Sequence, residues 1–191
     1  MKARGLLVVG ALCGAAALAI PRAVRFLHTA VAKANSGEPP GVEARVHTRE
    51  EFAFTAKGTI EQVAPLFGAD KERVWAVDWN PRFLFPQPAM DTEGMVFTTD
   101  RHQGHAVWVN TQLDLKSGRV QYVYVVPDRV ATLITLSLTP VGDRTHVAVK
   151  YERTSLSADA DEHVRRMAEG DRGSGSEWEK AVDAYLGKAS R

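Results

Sequence analysis

Cysteine is almost absent from the chain: the only one among 191 residues is Cys13, which lies in an apolar N-terminal stretch. The rest of the chain can therefore form no internal disulfide and has no cysteine to act as a nucleophile or a metal ligand. An excess of one charge is missing as well, since 24 basic residues nearly balance 23 acidic ones. Without a dense basic stripe, the chain is not expected to bind nucleic acid.

Familiar catalytic and metal-binding motifs are also lacking. The sequence has no nucleophile elbow, no phosphate-binding glycine loop and no paired-carboxylate spacing. His102 and His105 are close together, but they flank a predicted turn and no third ligand follows at a recognisable spacing. We therefore predict neither a metal site nor a cofactor.

An apolar stretch near the N-terminus has the layout of an export signal. Lys2 and Arg4 precede an uncharged run over residues 5–20. The run is shorter than the ~20 apolar residues that a membrane-spanning helix needs. Residues 1–34 are thus predicted to form a signal peptide or an uncleaved membrane anchor, and residues 35–42 a linker. These features predict an exported protein, periplasmic or extracellular, that contacts a membrane only through this leader.

Residues 43–191 show the pattern of one α+β domain. A first strand is predicted before Lys57, because Phe52 and Phe54 fall on one face of an extended chain. Two short helices should follow, the first capped by Thr59. Glycine-rich turns then separate strand-like segments, and such short connections join antiparallel neighbours. These further strands are predicted at residues 83–85, 95–99, 106–115, 119–126, 132–139 and 146–154.

The C-terminal part is predicted to be helical. Apolar residues recur at helical spacing over residues 159–169 and 177–188. Gly173 and Gly175 lie between these segments, and two glycines so close together weaken a helix. We expect a long C-terminal helix that bends or breaks at this point.

This order of elements resembles the helix-grip fold of the START, Bet v 1-like and polyketide cyclase/dehydrase proteins (the SRPBCC superfamily). Local features that carry the resemblance are Phe-Thr-Ala at 54–56, Trp-Ala-Val-Asp-Trp-Asn-Pro at 75–81, Glu-Gly-Met-Val-Phe at 93–97 and the segment 151–156. The chain looks most like exported members of the cyclase/dehydrase-like branch. The resemblance implies a curved antiparallel sheet of six to seven strands around the C-terminal helix. It also implies a cavity between them that holds an apolar or amphipathic small molecule.

One candidate site is the segment that contains Trp75, Asp78 and Trp79. The two tryptophans could form the mouth of a pocket and hold the Asp78 carboxylate near an apolar wall, where its pKa would rise. Asp78 would then be a candidate proton donor. The alternative is that the tryptophans close one end of the core while Asp78 caps a turn.

A second group of candidates lies on the predicted strands. Tyr122 and Tyr124 are two residues apart and point to one face, as do Trp108, Asn110 and Gln112 on the preceding strand. The tyrosines, Trp108 and Phe85 complete the predicted ligand-binding set. For Asn110 and Gln112 the preferred interpretation is that they face solvent and that the inward face carries Val107, Val109 and Leu113.

Three functions remain open at this stage. The first is extracytoplasmic binding of a small apolar or amphipathic molecule in the cavity. The second is a cyclase, dehydratase or hydrolase in which Asp78 or a cavity tyrosine donates a proton. The third is a domain with a filled core that acts through its surface.

Overall fold

The computed structural model describes residues 44–101 and 104–189. The predicted leader and linker, residues 1–42, lie outside this range. None of the helices in the described part of the chain has the length and apolarity that a membrane-crossing helix requires.

Seven antiparallel strands form a single sheet in the order β1-β7-β6-β5-β4-β3-β2. Strands β2 to β7 follow one another as a meander, and β1 pairs along β7. The predicted count of six to seven strands is therefore confirmed. The strands are β1 His47–Ala56, β2 Arg82–Phe85, β3 Val96–Arg101, β4 Gly104–Asp114, β5 Arg119–Val126, β6 Val130–Val141 and β7 Arg144–Ser155.

Strand β1 has the alternation that the sequence predicts. Phe52, Phe54 and Ala56 are buried on the core side, whereas Glu51 is exposed and Ala53 lies on the same outer face. Because successive side chains of a strand point to opposite faces, this pattern gives β1 one apolar face for the core. The register follows from it, since a slip by one residue would expose all three buried side chains.

Short helices connect β1 to β2, as predicted. Helix α1 (Ile60–Val63) begins after Thr59, whose backbone N–H donates to Gln62 Oε1 at 3.0 Å. Two 3₁₀ turns follow, Ala64–Phe67 and Lys71–Val74. Leu66, Phe67 and Ala69 are buried, so this connection packs onto the sheet and closes one side of the core.

The C-terminal helix is broken where the glycines predict a break. After a 3₁₀ turn at Ala158–Ala160, helix α2 spans Asp161–Asp171 and helix α3 spans Gly175–Ala189. Gly175 lies against β1, and a Cβ atom at this position would be 3.0 Å from the Ala53 carbonyl oxygen. The glycine therefore allows α3 to begin in close contact with the sheet.

Strand β4 corrects one sequence-based prediction. Asn110 is fully buried and Trp108 faces the core side, whereas Val107 and Val109 are exposed. The preferred interpretation for this strand, with the valines inward, is wrong at these positions. The register shifts between Asn110 and Gln112, so that one extra residue, Thr111, has no partner on β5. This bulge changes the phase of the alternation and turns Leu113 toward the core.

Candidate functional site

A cavity of about 380 Å³, the main cavity, lies between the concave face of the sheet, the β1–β2 connection and α3. Strands β3 to β7 each contribute at least one side chain to it, and α3 contributes Trp178 and Ala181. A cavity therefore exists where the resemblance implies one. Its lining residues are Glu72, Trp75, Ala76, Val77, Trp79, Phe97, Trp108, Tyr122, Ile134, Leu136, Tyr151, Glu177, Trp178 and Ala181.

Aromatic rings form much of this lining and pack against one another. Trp178 meets Trp75 edge to face with ring centroids 5.3 Å apart. Trp79 meets Trp108 in the same way at 5.4 Å, and Phe97 stacks on Trp108 at 5.6 Å. Such edge-to-face and offset contacts are the favoured arrangements of aromatic pairs. The cavity is consequently lined by rings whose orientations are set by their neighbours.

Three of the four tryptophans in the lining have their indole N–H groups satisfied within the protein. Trp75 Nε1 donates to the Leu66 carbonyl at 2.7 Å, and Trp79 Nε1 donates to the Ala69 carbonyl at 2.6 Å. Trp108 Nε1 donates to Thr99 Oγ1 at 2.9 Å. Because each indole already has an acceptor, these three tryptophans offer a ligand their ring surface and not a hydrogen bond.

The Tyr122 hydroxyl, like the three indoles, donates a hydrogen bond within the protein. It donates to the Phe67 carbonyl at 2.9 Å. Burial, with the negative charges of Glu72 and Asp91 adding to it, raises the pKa of Tyr122 well above its ordinary value. The hydroxyl therefore stays protonated and ties the 3₁₀ turn to β5.

Tyr151 differs from Tyr122 in its hydrogen bonding. Its hydroxyl has no hydrogen-bond acceptor among residues 44–101 and 104–189, although its ring lines the cavity. Burial raises the pKa of Tyr151, and the neighbouring Arg153 charge only partly opposes the rise. This hydroxyl is thus a neutral donor on β7 that the described residues leave unused.

A smaller cavity of about 140 Å³, the second cavity, lies beside the first. Trp108, Ile134 and Tyr151 line both cavities, so the two are separated by no more than one layer of side chains. The second cavity is also lined by Tyr124 and Arg153. Its Arg153 adds a buried charged group to a site whose main cavity is lined by aromatic and aliphatic side chains and by Glu72 and Glu177.

Five of the seven predicted ligand-binding residues line one of the two cavities, and the other two lie outside both. Trp75, Trp79, Trp108 and Tyr122 line the main cavity, and Tyr124 lines the second. Whether they bind a ligand stays a prediction.

Asp78 and Phe85 lie outside both cavities, and their predicted placement at the site is corrected. Asp78 is exposed at a turn, with a left-handed φ of 58°, so its carboxylate is not held against an apolar wall. This agrees with the alternative in which Asp78 serves a turn before the Asn80-Pro81 pair. Phe85 ends the short strand β2 and is 57% exposed.

Three residues of the site carried no functional prediction. Trp178 was recognisable only as a buried residue of the last helix, and Tyr151 as part of the segment that leads into it. Arg153, two residues beyond Tyr151 on the same strand face, is a charged residue at a core position. The alternation of side chains along β7 was the sequence signal that could have identified Arg153, because a charge on the inner face of a strand requires a partner.

The described residues, with positions 102 and 103 left aside, contain no group of three side chains suited to hold a metal ion. His105 Nδ1 lies 2.7 Å from Asp100 Oδ1 on the exposed β3–β4 hairpin. The second histidine of that predicted turn, His102, lies outside the described residues.

The sequence matches no family model and no curated protein. Its structure is similar to the Mll3558 protein of Rhizobium loti, with 21% identity, a TM-score of 0.53 and coverage of 75% of this chain and 99% of that chain. It is also similar to Ara h 8.0201, with 9% identity, a TM-score of 0.53 and coverage of 75% and 99%. The chain has the Bet v 1-like helix-grip fold.

Norcoclaurine synthase from Thalictrum flavum shares this helix-grip fold. Its truncated form is 8% identical to the chain, with a TM-score of 0.57 and coverage of 78% of this chain and 96% of that chain. The same synthase has a structure in complex with dopamine and hydroxybenzaldehyde. Identities this low establish the fold alone.

Proposed function

We propose that this helix-grip domain binds a small aromatic or apolar molecule in the main cavity. The observation that carries the proposal is the aromatic-lined cavity of about 380 Å³ in which Trp75, Trp79 and Trp108 have their indole N–H groups satisfied by the protein. Its volume falls in the usual range of about 300–1,000 Å³ for small-molecule sites. A flat aromatic ligand would gain contact with the rings of Trp75, Trp79 and Trp108 without leaving their indole N–H groups unpaired.

The comparison with norcoclaurine synthase supports the same ligand class. That enzyme shares the fold, and the two molecules in its complex, dopamine and hydroxybenzaldehyde, are small aromatic compounds. A cavity lined by aromatic rings in this chain suits molecules of that size and shape.

The tyrosines favour binding over proton-transfer catalysis. A general acid or base works best when its pKa lies near the operating pH. Burial moves the pKa values of Tyr122 and Tyr151 upward, away from that range, and Tyr122 already donates to a backbone carbonyl. Asp78, the other predicted proton donor, is exposed outside the cavity. The hydroxyls of Tyr122 and Tyr151 are therefore poorly suited to transfer a proton.

Filling the cavity tests this proposal. Ala181 lines the main cavity on α3, whereas Ala184 is exposed on the same helix. Ala181→Phe is expected to weaken binding of the neutral fluorescent probe N-phenyl-1-naphthylamine by about tenfold or more, because the added ring occupies ligand space. Fluorescence titration measures the effect.

Ala184→Phe is the matched control and should bind the probe as the wild type does. Equal affinities in all three proteins would place the probe outside the cavity. Native mass spectrometry of the purified wild-type protein provides a second test, since a co-purifying molecule of this class should be lost in Ala181→Phe and kept in Ala184→Phe.

We also propose that the domain works outside the cytoplasm, which the charged start and apolar run of residues 1–20 support. Residues 1–42 fused to alkaline phosphatase should give high phosphatase activity in a bacterial host, because this reporter needs disulfides that form after export. The same fusion with Leu7→Arg and Val9→Arg interrupts the apolar run and should be inactive. Equal activity of the two fusions would contradict export, and the size of the active fusion reports whether the leader is cleaved.

A further inference from the structure

Arg153 on β7 has one hydrogen-bond donor more than its partners use. The residue is 4% exposed. Its Nε and Nη2 donate to Asp171 at 3.0 and 2.8 Å, and its Nη1 donates to the Tyr124 hydroxyl at 2.9 Å and to Thr132 Oγ1 at 3.2 Å. A guanidinium carries five N–H groups, so four are engaged. The fifth, on Nη2, has no acceptor within residues 44–101 and 104–189.

A buried donor without an acceptor is costly, and the residue that carries this one lines the second cavity. Leaving a buried polar group unpaired costs roughly as much as losing a hydrogen bond, and more when the group is charged. Arg153 lines the second cavity, which is large enough for a group of several non-hydrogen atoms. Arg153 therefore both carries an unused donor and borders this volume.

The second cavity is adjacent to the main one and shares lining residues with it. Tyr151 and Trp108 line both, and Tyr151 also covers the guanidinium, with its ring centroid 4.2 Å from Arg153 Cζ. Trp108 packs on Tyr124 with ring centroids 4.2 Å apart. These two rings form the common wall past which an elongated ligand would extend from the aromatic cavity toward Arg153.

Charge decides which group the second cavity would accept. The Arg153 cation is already balanced by the Asp171 carboxylate, which is itself buried. An anionic ligand group would add an uncompensated buried charge, which is strongly unfavourable. A neutral acceptor adds none and satisfies the fifth N–H.

We propose that the second cavity is a subsite for a neutral hydrogen-bond acceptor of the ligand, such as a ketone, aldehyde or amide carbonyl, with Arg153 Nη2 as the donor. This inference rests on the proposed function, since the aromatic part of the same ligand occupies the main cavity. The ligand class is thereby narrowed to elongated aromatic molecules that carry an uncharged carbonyl at one end.

Two probes that differ only in the carbonyl test the subsite. The ketone is 6-propionyl-2-dimethylaminonaphthalene, and its control is the 6-propyl analogue. The protein variant is Arg153→Met combined with Asp171→Leu, because replacing both members of a buried ion pair by apolar residues is often tolerated. The ratio of ketone to propyl affinity is expected to fall by about tenfold or more in this double variant, as for loss of a hydrogen bond to a charged group.

Tyr151→Phe is the control for the other unused donor, the Tyr151 hydroxyl. It should keep the wild-type affinity ratio. An unchanged ratio in the double variant, or a ratio lost in Tyr151→Phe instead, would overturn the assignment to Arg153 while leaving ligand binding in the main cavity intact. Failure of both probes to bind the wild type would contradict the proposed function and the subsite together.

An infrared measurement keeps the test decisive if circular dichroism shows that the double variant does not fold. The carbonyl stretch of the bound ketone is expected at lower frequency than in hexane, both in the wild type and in Tyr151→Phe, because hydrogen bonding weakens the carbonyl bond. A hexane-like stretch in either protein would refute donation from Arg153.

Discussion

Replacing Arg153 alone by methionine is expected to lower the free energy of unfolding by about 3–5 kcal/mol. The change leaves the Asp171 carboxylate buried without its bidentate partner, and it also removes the donor to Tyr124 and Thr132. Asp171 is the last residue of α2. The lost ion pair therefore connects the C-terminal end of α2, where the helix breaks, to β7. Urea denaturation followed by circular dichroism measures the loss.

Arg172, the next residue, is a matched control. Its guanidinium pairs with Glu50 on β1 through two hydrogen bonds, but the Arg172 side chain is exposed to solvent. Because solvent and salt screen exposed ion pairs, Arg172→Met should change the denaturation midpoint little. The double variant of Arg153 and Asp171 should recover most of the stability lost in Arg153→Met. Similar losses for the two single variants would contradict a special role of the buried pair.

Gly118→Ala is expected to lower the free energy of unfolding by about 3 kcal/mol, from left-handed backbone strain together with a steric clash. Gly118 is the last residue of the turn between β4 and β5, and its φ is +67°. A Cβ atom there would lie 2.3 Å from the Leu138 carbonyl oxygen on β6, and the Leu138 N–H donates to the Gly118 carbonyl at 2.8 Å. The backbone of both segments would have to move apart. Thermal or urea unfolding of the variant measures the effect.

Gly142 separates the two contributions to this loss. It has a similar φ of +62°, but a Cβ atom there would meet nothing within 4 Å. Gly142→Ala should therefore cost only the left-handed conformation itself, about 1–2 kcal/mol. A loss as large as that of Gly118→Ala would show that the contact with Leu138 contributes nothing.

The strands and turns were predictable because each is specified by nearby residues. Phe52 and Phe54 alternate with exposed positions, and glycines occupy turns with positive φ. The face of β4 was not predictable in this way. Val107 and Val109 are apolar but exposed, and the phase of the strand changes at a bulge that depends on pairing with β5. Pairing of that kind is a long-range property, which local alternation does not reveal.

The residues of the candidate site likewise divide into those that local sequence predicts and those that depend on long-range packing. Trp75 and Trp79 were found because large aromatic residues in one short segment are unusual, and both line the main cavity. Asp78 stands between them in sequence, but its left-handed backbone turns the residue to solvent. Tyr151 and Trp178 belong to β7 and α3, and their place in the cavity depends on how the sheet curves against the helix. That curvature arises from packing across the whole domain.

The hydrogen bonds from Trp75, Trp79 and Tyr122 all end on carbonyls of one short stretch, residues 66–69. To rotate any of these rings, the protein would have to break a bond between a side chain and the main chain. Ligand binding is therefore expected to freeze few additional torsions, so little side-chain entropy is lost on association. For the same reason, positional isomers of one aromatic compound, which have equal apolar area and different outlines, should differ in affinity.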